Sequence, residues 1–516
     1  MKDEIKRIIS YIINFVLLRP LSFGNPTNDG ISDGSTSSTV SFACGFAILL
    51  ITIVYFTVQF TMENFTSNSL WGLLVFILVS GTVATGLLLT LIVFCQSYDV
   101  IRRQQLKDRC VELEIKFLWF SGLGVLFRAV ITLAIQCECV VVSVGFREIS
   151  EITLSCMKII FMLIQMCFIT YLRNSRLLGG LFINYLIGGL FLANTSTWAN
   201  YVTFRISDIY IHTNGTSLLP LSNQSIYDEC FNNSKMHKVS RILSTFFLNV
   251  SMLFLLLSSM FLIRLWPLVR NWQHMRNSCI INAGINIVSG QPDTSDRVIQ
   301  NRRTVRIVSF FVGFLINSPF FTMAILMTTV YSNDIKSIKV YWDLFVILVL
   351  AVMIVIVLVG IQNLNLHCLE KTSFSTWDVI LMMCMSGNVI MNTLGITSIF
   401  LCNVDRSVTI FTKNLLNLFA TYYHTVYIIV AKRTPHSEFC KSISNLSIHV
   451  ILFCSGLGRW FLDMFVLNSH GKYILKEGEG CLFPDHRCWL MVQYFLIPLN
   501  AFYDFQSFVF YYGKIW

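Results

Sequence analysis

The 45 residues Asn194–Lys238, NTSTWANYVTFRISDIYIHTNGTSLLPLSNQSIYDECFNNSKMHK, decide how the rest of the chain is read. They hold four N-x-S/T acceptors, at Asn194, Asn214, Asn223 and Asn232. Such acceptors are used only on the luminal or extracellular side of a membrane. This polar stretch is therefore expected to face outward, and that gives every apolar segment on either side of it a direction.

Apolar segments dominate the chain. Of 516 residues, 55% are hydrophobic and only 13% charged, with mean hydropathy +0.65. A soluble domain would carry about 25% charge. Apolar runs of spanning length recur at roughly 43–62, 70–95, 115–136, 152–172, 178–193 and 240–264, then 306–331, 340–361, 376–402, 408–431, 442–467 and 488–511, each near the ~20 residues that a bilayer crossing needs. The expected fold is an all-α polytopic membrane protein of about twelve transmembrane helices in two six-helix halves. Residues 1–42 form an N-terminal segment, 43–264 the first half, 265–305 a polar linker, 306–511 the second half and 512–516 a tail.

Charge placement orients the spans. With the N-terminus in the cytosol, the basic loops at Arg102, Arg103, Lys107 and Arg109, at Arg173 and Arg176, across 265–305, and at Lys432 and Arg433 all fall inside, as the positive-inside rule asks. The sequon stretch and Asn64 fall outside. The apolar run Ile8–Leu18 could pass for a signal peptide. Cleavage there would put the long loop's acceptors inside, so both termini are read as cytosolic. The formal charge of +10 sits in these short clusters and does not indicate nucleic-acid binding. Most of the 16 Cys lie in apolar runs; Cys137, Cys139, Cys230, Cys481 and Cys488 lie in or near outward loops, where a pair could form.

A charge at mid-bilayer costs ~2.5–3.5 kcal/mol even on insertion scales, so each one needs a partner or water. Lys116, Arg128, Lys158, Asp343, Asp378, His424, His449, Arg459, Asp463 and Asp504 are the candidates. Lys116, Asp343 and Asp378 are near span ends, within reach of the interface. Asn500, Asp504 and Ser507 recur at i, i+4 and i+7 on one helical face, with Tyr503 and Gln506 beside them. Arg459 and Asp463, four residues apart, can pair with each other. His424 is mid-span, one turn after Thr421. In the first half, Gln165, Asn184, Tyr185 and Asn249 supply uncharged polar groups. No phosphate-binding loop, metal-ligand spacing, carbonyl filter motif or voltage-sensor repeat occurs. No loop is long enough for a catalytic domain, so the chain is not expected to be an enzyme. Neither cofactor nor metal is implied.

Ordered motifs along the chain are similar to those of the otopetrins, a family of twelve-span proton channels. The last span carries Trp489, Pro498-Leu499, Phe502-Tyr503-Asp504-Phe505-Gln506-Ser507 and Ile515-Trp516. The eleventh carries Gly456-Leu457-Gly458-Arg459-Trp460-Phe461-Leu462-Asp463-Met464-Phe465, and the tenth His424-Thr425-Val426-Tyr427-Ile428 with Lys432-Arg433. Phe117–Gly124, Phe161 with Gln165–Tyr171, and Trp377-Asp378 with Gly387 resemble the third, fourth and ninth. The resemblance implies a homodimer in the plasma membrane whose substrate is the proton and whose other contacts are lipids. It also implies a Gln, Asn and Tyr constriction in each half. Gln165 matches that pattern. Gly188 and Gly456 stand where the two Asn would be, and His424 stands at the second Gln. Asp504 and Gln506 replace the family's Arg and His, and Val466 replaces an acid. The pore candidates are Gln165, Asn184, Tyr185, Asn249, Asp378, His424, Arg459, Asp463, Tyr503, Asp504 and Gln506. A twelve-helix secondary transporter and a non-conducting subunit of the same fold are the alternatives.

Overall fold

A computed structural model describes residues 67–94, 101–103, 109–140, 146–173, 175–177, 186–198, 244–265, 296–329, 335–364, 376–401, 407–434, 443–464 and 486–515, with Cys230, Ser234, Met236 and Leu482. Among them the chain forms eleven helices. These are α1 (Ser67–Phe94), α2 (Arg109–Val140), α3 (Phe146–Leu172), α4 (186–198), α5 (Ser244–Leu265), α6 (Asp296–Thr329), α7 (Ile335–Asn363), α8 (Thr376–Leu401), α9 (Ser407–Arg433), α10 (Ile443–Leu462) and α11 (His486–Ile515). One short antiparallel ladder joins β1 (Ile101–Arg103) to β2 (Ser175–Leu177). Helices are the expected form here, because each satisfies its backbone polar groups within one segment, with no help from water.

Six helical stretches are long and apolar enough to cross a membrane: Arg109–Val140, Ile149–Leu172, Arg302–Thr322, Tyr341–Asn363, Trp377–Leu401 and Ser444–Leu462. The chain is a helical multi-pass membrane protein. Its surface carries the same message. Exposed Phe76, Val79, Val83 and Leu87 form one stripe along α1; Leu344, Leu348, Val352, Val355 and Val359 form another along α7. The buried set includes Gln165, Asn194, Asn317, Asn388, Asn392, Asp504 and Gln506. A water-soluble monomer rarely exposes continuous apolar stripes. In hydrocarbon, apolar side chains face lipid and polar ones turn to protein.

Nine helices coincide with expected spans to within about six residues at each end, α6 begins ten residues early, and α4 is displaced. The expected span 178–193 becomes a helix at 186–198, running five residues into the sequon stretch. The linker 265–305 loses its last ten residues to α6, and α11 continues through Ile515, absorbing most of the expected tail. The first expected span, 43–62, lies outside the described residues, as does the N-terminal segment.

Helix α3 packs on α1 and α2, and α5 packs on α2. Helix α10 lies between α6 and α11, while α9 lies between α7 and α8, with α8 also on α11. The two groups meet where α11 touches α2 and α5, and where α8 touches α5. At that seam the Phe117 ring of α2 stands edge-on to Trp460, Phe505 and Phe508, with centroids 5.4, 5.2 and 5.8 Å away. The buried Glu114 of α2 accepts a forked pair of hydrogen bonds from Arg264 of α5, at 2.5 and 3.0 Å. Arg264 sits in the last turn of α5, where the helix dipole favours a cation. At the other end of α2, Cys139 is disulfide-bonded to Cys230. That bond ties the sequon stretch to this end of the bundle.

Candidate functional site

A polar column is buried between α8, α9, α10 and α11. Its first part comes from residues spaced four apart. On α8, Asn392 donates its side-chain N–H to the Asn388 backbone carbonyl (2.8 Å) and to the Asn388 side-chain oxygen. Asn417 of α9 donates to Asn392 Oδ1 at 3.1 Å. Asn388 donates to Thr421 Oγ1 at 2.9 Å. On α9, Asn417, Thr421 and Thr425 repeat at i, i+4 and i+8 and so share one face.

The column continues onto α11 through Tyr503, which is fully buried. Its hydroxyl donates to the Thr421 backbone carbonyl (3.3 Å), exchanges a hydrogen bond with Thr425 Oγ1 (2.8 Å) and lies 3.1 Å from His424 Nδ1. His424 Nε2 is buried with no hydrogen-bond partner. The His424 ring is followed by the Tyr511 ring at 5.7 Å, which in turn is 5.5 Å from the His449 ring. His449 Nε2 is 3.1 Å from the Tyr427 hydroxyl. Two imidazoles and three phenols thus line one buried row.

Beside this row lie the charges. Arg459 of α10 pairs with Asp504 of α11 at 2.8 Å. Asp463 accepts from Asn500 Nδ2 at 3.0 Å. The i, i+4 pairing expected for Arg459 and Asp463 is therefore not the one that forms. Helix α11 brings Asp504 to the guanidinium, and Asp463 turns to Asn500. Residues 501–511 of α11 are all buried, so its polar stripe faces protein rather than lipid.

Asp378 and Lys432 close one end of the column, 2.7 Å apart. Asp378 is in the first turn of α8 and Lys432 in the last turn of α9, so each charge suits the local helix dipole. The Lys432 ammonium also stands over the Trp377 ring at 4.7 Å, and Trp377 Nε1 donates to Gln506 Oε1 at 2.7 Å. Gln506 reaches the first group of helices, with its Nε2 3.0 Å from Met260 Sδ. Asp343, expected to reach the interface, is instead buried and paired with Lys413 at 2.6 Å. Lys116 is exposed, as an interfacial lysine would be.

Five expected residues, Asp378, His424, Tyr503, Asp504 and Gln506, thus lie along this column and its charged end, with Arg459 and Asp463 beside them. Gln165 does not: it is fully buried in α3 of the first group, where neither amide atom has a hydrogen-bond partner. Asn184 and Tyr185 lie outside the described residues. Asn249 falls within α5, and its side chain is outside the described set. Of the acceptors, Asn214, Asn223 and Asn232 are also outside it. Asn194 needs correction. It is fully buried in α4, donating to the Leu255 carbonyl (2.7 Å) and to Ser259 Oγ. An amide nitrogen enclosed in a helix bundle and already engaged twice is not available for glycosylation.

Sequence reasoning missed Asn388, Asn392, Asn417 and Lys413, and also the Glu114–Arg264 pair. The asparagine spacing was a usable signal. The Glu114–Arg264 pair spans 150 residues, and nothing local announces it. Gly188 and Pro498, positions at which a helix could break, lie inside continuous helices. The chain matches no family model and no curated protein.

Proposed function

We propose that this chain is a proton-selective channel of the otopetrin type, with twelve spans, both termini cytosolic, and a homodimeric assembly in the plasma membrane. The carrying observation is the connected set of hydrogen-bonding side chains from Asn392 through Asn388 and Thr421 to Tyr503, Thr425 and His424, all but enclosed by apolar helices. A proton can pass along hydroxyls, imidazoles and intervening water by exchanging hydrogen bonds. A hydrated metal cation would need a wider, ligand-lined passage to replace its shell. The membrane potential supplies ~2.3 kcal/mol per charge per 100 mV, comparable to the insertion cost of one buried charge.

The Cys139–Cys230 bond supports the outward orientation of the sequon stretch, since such bonds persist on the oxidising side of a membrane. Asn214, Asn223 and Asn232 are then the acceptors. The test is a pH-jump recording under voltage clamp from surface-expressed protein, with protons as the only permeant ion. An acid-evoked inward current that falls in Tyr503→Phe and Asp504→Asn supports the reading. A normal current in both variants removes the site assignment. No current from wild type at the surface favours a non-conducting subunit, and flux that requires an added solute favours a transporter.

A further inference from the structure

Three buried acids among the described residues each face a basic side chain. Glu114 faces Arg264, Asp343 faces Lys413 and Asp378 faces Lys432. Arg459 instead stands between two buried carboxylates. It pairs with Asp504 and lies within electrostatic reach of Asp463, and the two carboxylates repel each other. Asp504 and Asp463 are 1% and 8% exposed, and the Arg459 side chain 14%. Among the described residues, the His424 ring and the Tyr503 phenol also face the cluster. Counted formally, the cluster carries one negative charge too many. An uncompensated buried charge costs several kcal/mol, so it is neutralised in the folded state.

A second observation points to what neutralises it. Several unpartnered oxygens belong to the cluster or to residues beside it in the helices. Asp504 Oδ1 faces the Arg459 guanidinium, while Asp504 Oδ2 and Asn500 Oδ1 lack a hydrogen-bond donor. Ser455, fully buried and one turn before Arg459 on the same α10 face, has an unpartnered Oγ. Asn317 of α6, also fully buried, packs against Gly458, donates its amide nitrogen to the Gly313 carbonyl and leaves its Oδ1 unpartnered. Oxygen atoms with no donor, around a surplus of one negative charge, suit a cation. No three His, Cys, Asp or Glu side chains converge among the described residues, so the donor set does not suit a multivalent metal.

We infer that Asp463, Asp504 and Asn500, with Arg459 as fixed counter-charge, form a binding site for one exchangeable monovalent cation, a proton or a sodium ion. This inference rests on the conduction reading for its role in transport, as the place where the permeating charge dwells. Binding itself can be measured without any current.

The experiment uses the purified full-length chain in detergent, exchanged at neutral pH between choline chloride and sodium chloride. Infrared difference spectra read the carbonyl band of a protonated buried carboxyl, and thermal unfolding is followed in the same samples. A proton site gives the band in both salts, with about one proton bound per chain in excess of an Asp463→Asn variant. A sodium site gives a band that sodium removes and an unfolding temperature that climbs with sodium but not with choline. Asp504→Asn replaces Asp463→Asn should that variant not fold, and it is expected to lose the same signal. Wild-type protein with no protonated-carboxyl band and no response to sodium overturns the site. A positive binding result with no acid-evoked current keeps the site and removes the channel reading instead.

Discussion

Replacing Glu114 by Gln removes the negative charge that pairs with Arg264 where α5 packs on α2. The shape of the side chain barely changes. Glu114 is fully buried, and its two oxygens accept from the guanidinium at 2.5 and 3.0 Å. Deleting one partner of a buried pair costs about 3–5 kcal/mol, because the other charge is left uncompensated. The Arg264 side chain keeps 22% exposure, so part of its hydration can return. That reduces the expected loss to about 2–3 kcal/mol. A unit of 150–250 residues shifts its unfolding midpoint by about 2–4 °C per kcal/mol, and a chain of 516 residues by about half as much, so Glu114→Gln should unfold roughly 2–6 °C lower. Thermal unfolding in detergent, read by fluorescence, measures this. The double variant Glu114→Leu with Arg264→Met replaces both charges by apolar groups and should recover most of the loss, since apolar replacements of buried pairs are often neutral. An unshifted Glu114→Gln, or a double variant that loses the sum of its singles, would refute the reasoning.

Other changes test other parts of the structure. Cys230→Ser opens a covalent loop of sequence separation 91, which is worth ~4–5 kcal/mol on a chain-entropy estimate; a linked Cys139–Cys230 peptide should appear on non-reducing mapping of wild type and vanish in the variant. Asn194→Gln should leave glycan occupancy unchanged while lowering stability, and a glycopeptide carrying Asn194 would disprove its burial. Gly387→Ala places a Cβ 2.8 Å from that of Leu499, where α8 meets α11. Overpacking there should cost ~1–3 kcal/mol, and Leu499→Ala should relieve it. Tyr503→Phe deletes the hydroxyl that joins Thr421, Thr425 and His424; it should lower acid-evoked current with little change in the amount of protein at the surface.

The membrane character of this chain was legible in the sequence, because hydrocarbon imposes two local demands. Each crossing must be long and apolar, and each must satisfy its own backbone hydrogen bonds. The stripe Asn500–Asp504–Ser507 and the central place of Tyr503 and His424 were readable for a related reason, since a polar face on an apolar helix has to turn away from lipid. Partner choice was not readable. Arg459 had Asp463 one turn away on its own helix, yet Asp504, 45 positions on in the chain, holds it. Asp343 looked like an interfacial residue until Lys413 of α9 was found against it. Asn194 looked like an exposed acceptor until α4 extended past it and α5 took its amide. Local spacing determines which face of a helix is polar. Only the packing of helices distant in sequence decides which charge meets which, because side-chain interactions act over a few ångströms and the chain reaches those distances only once it has folded.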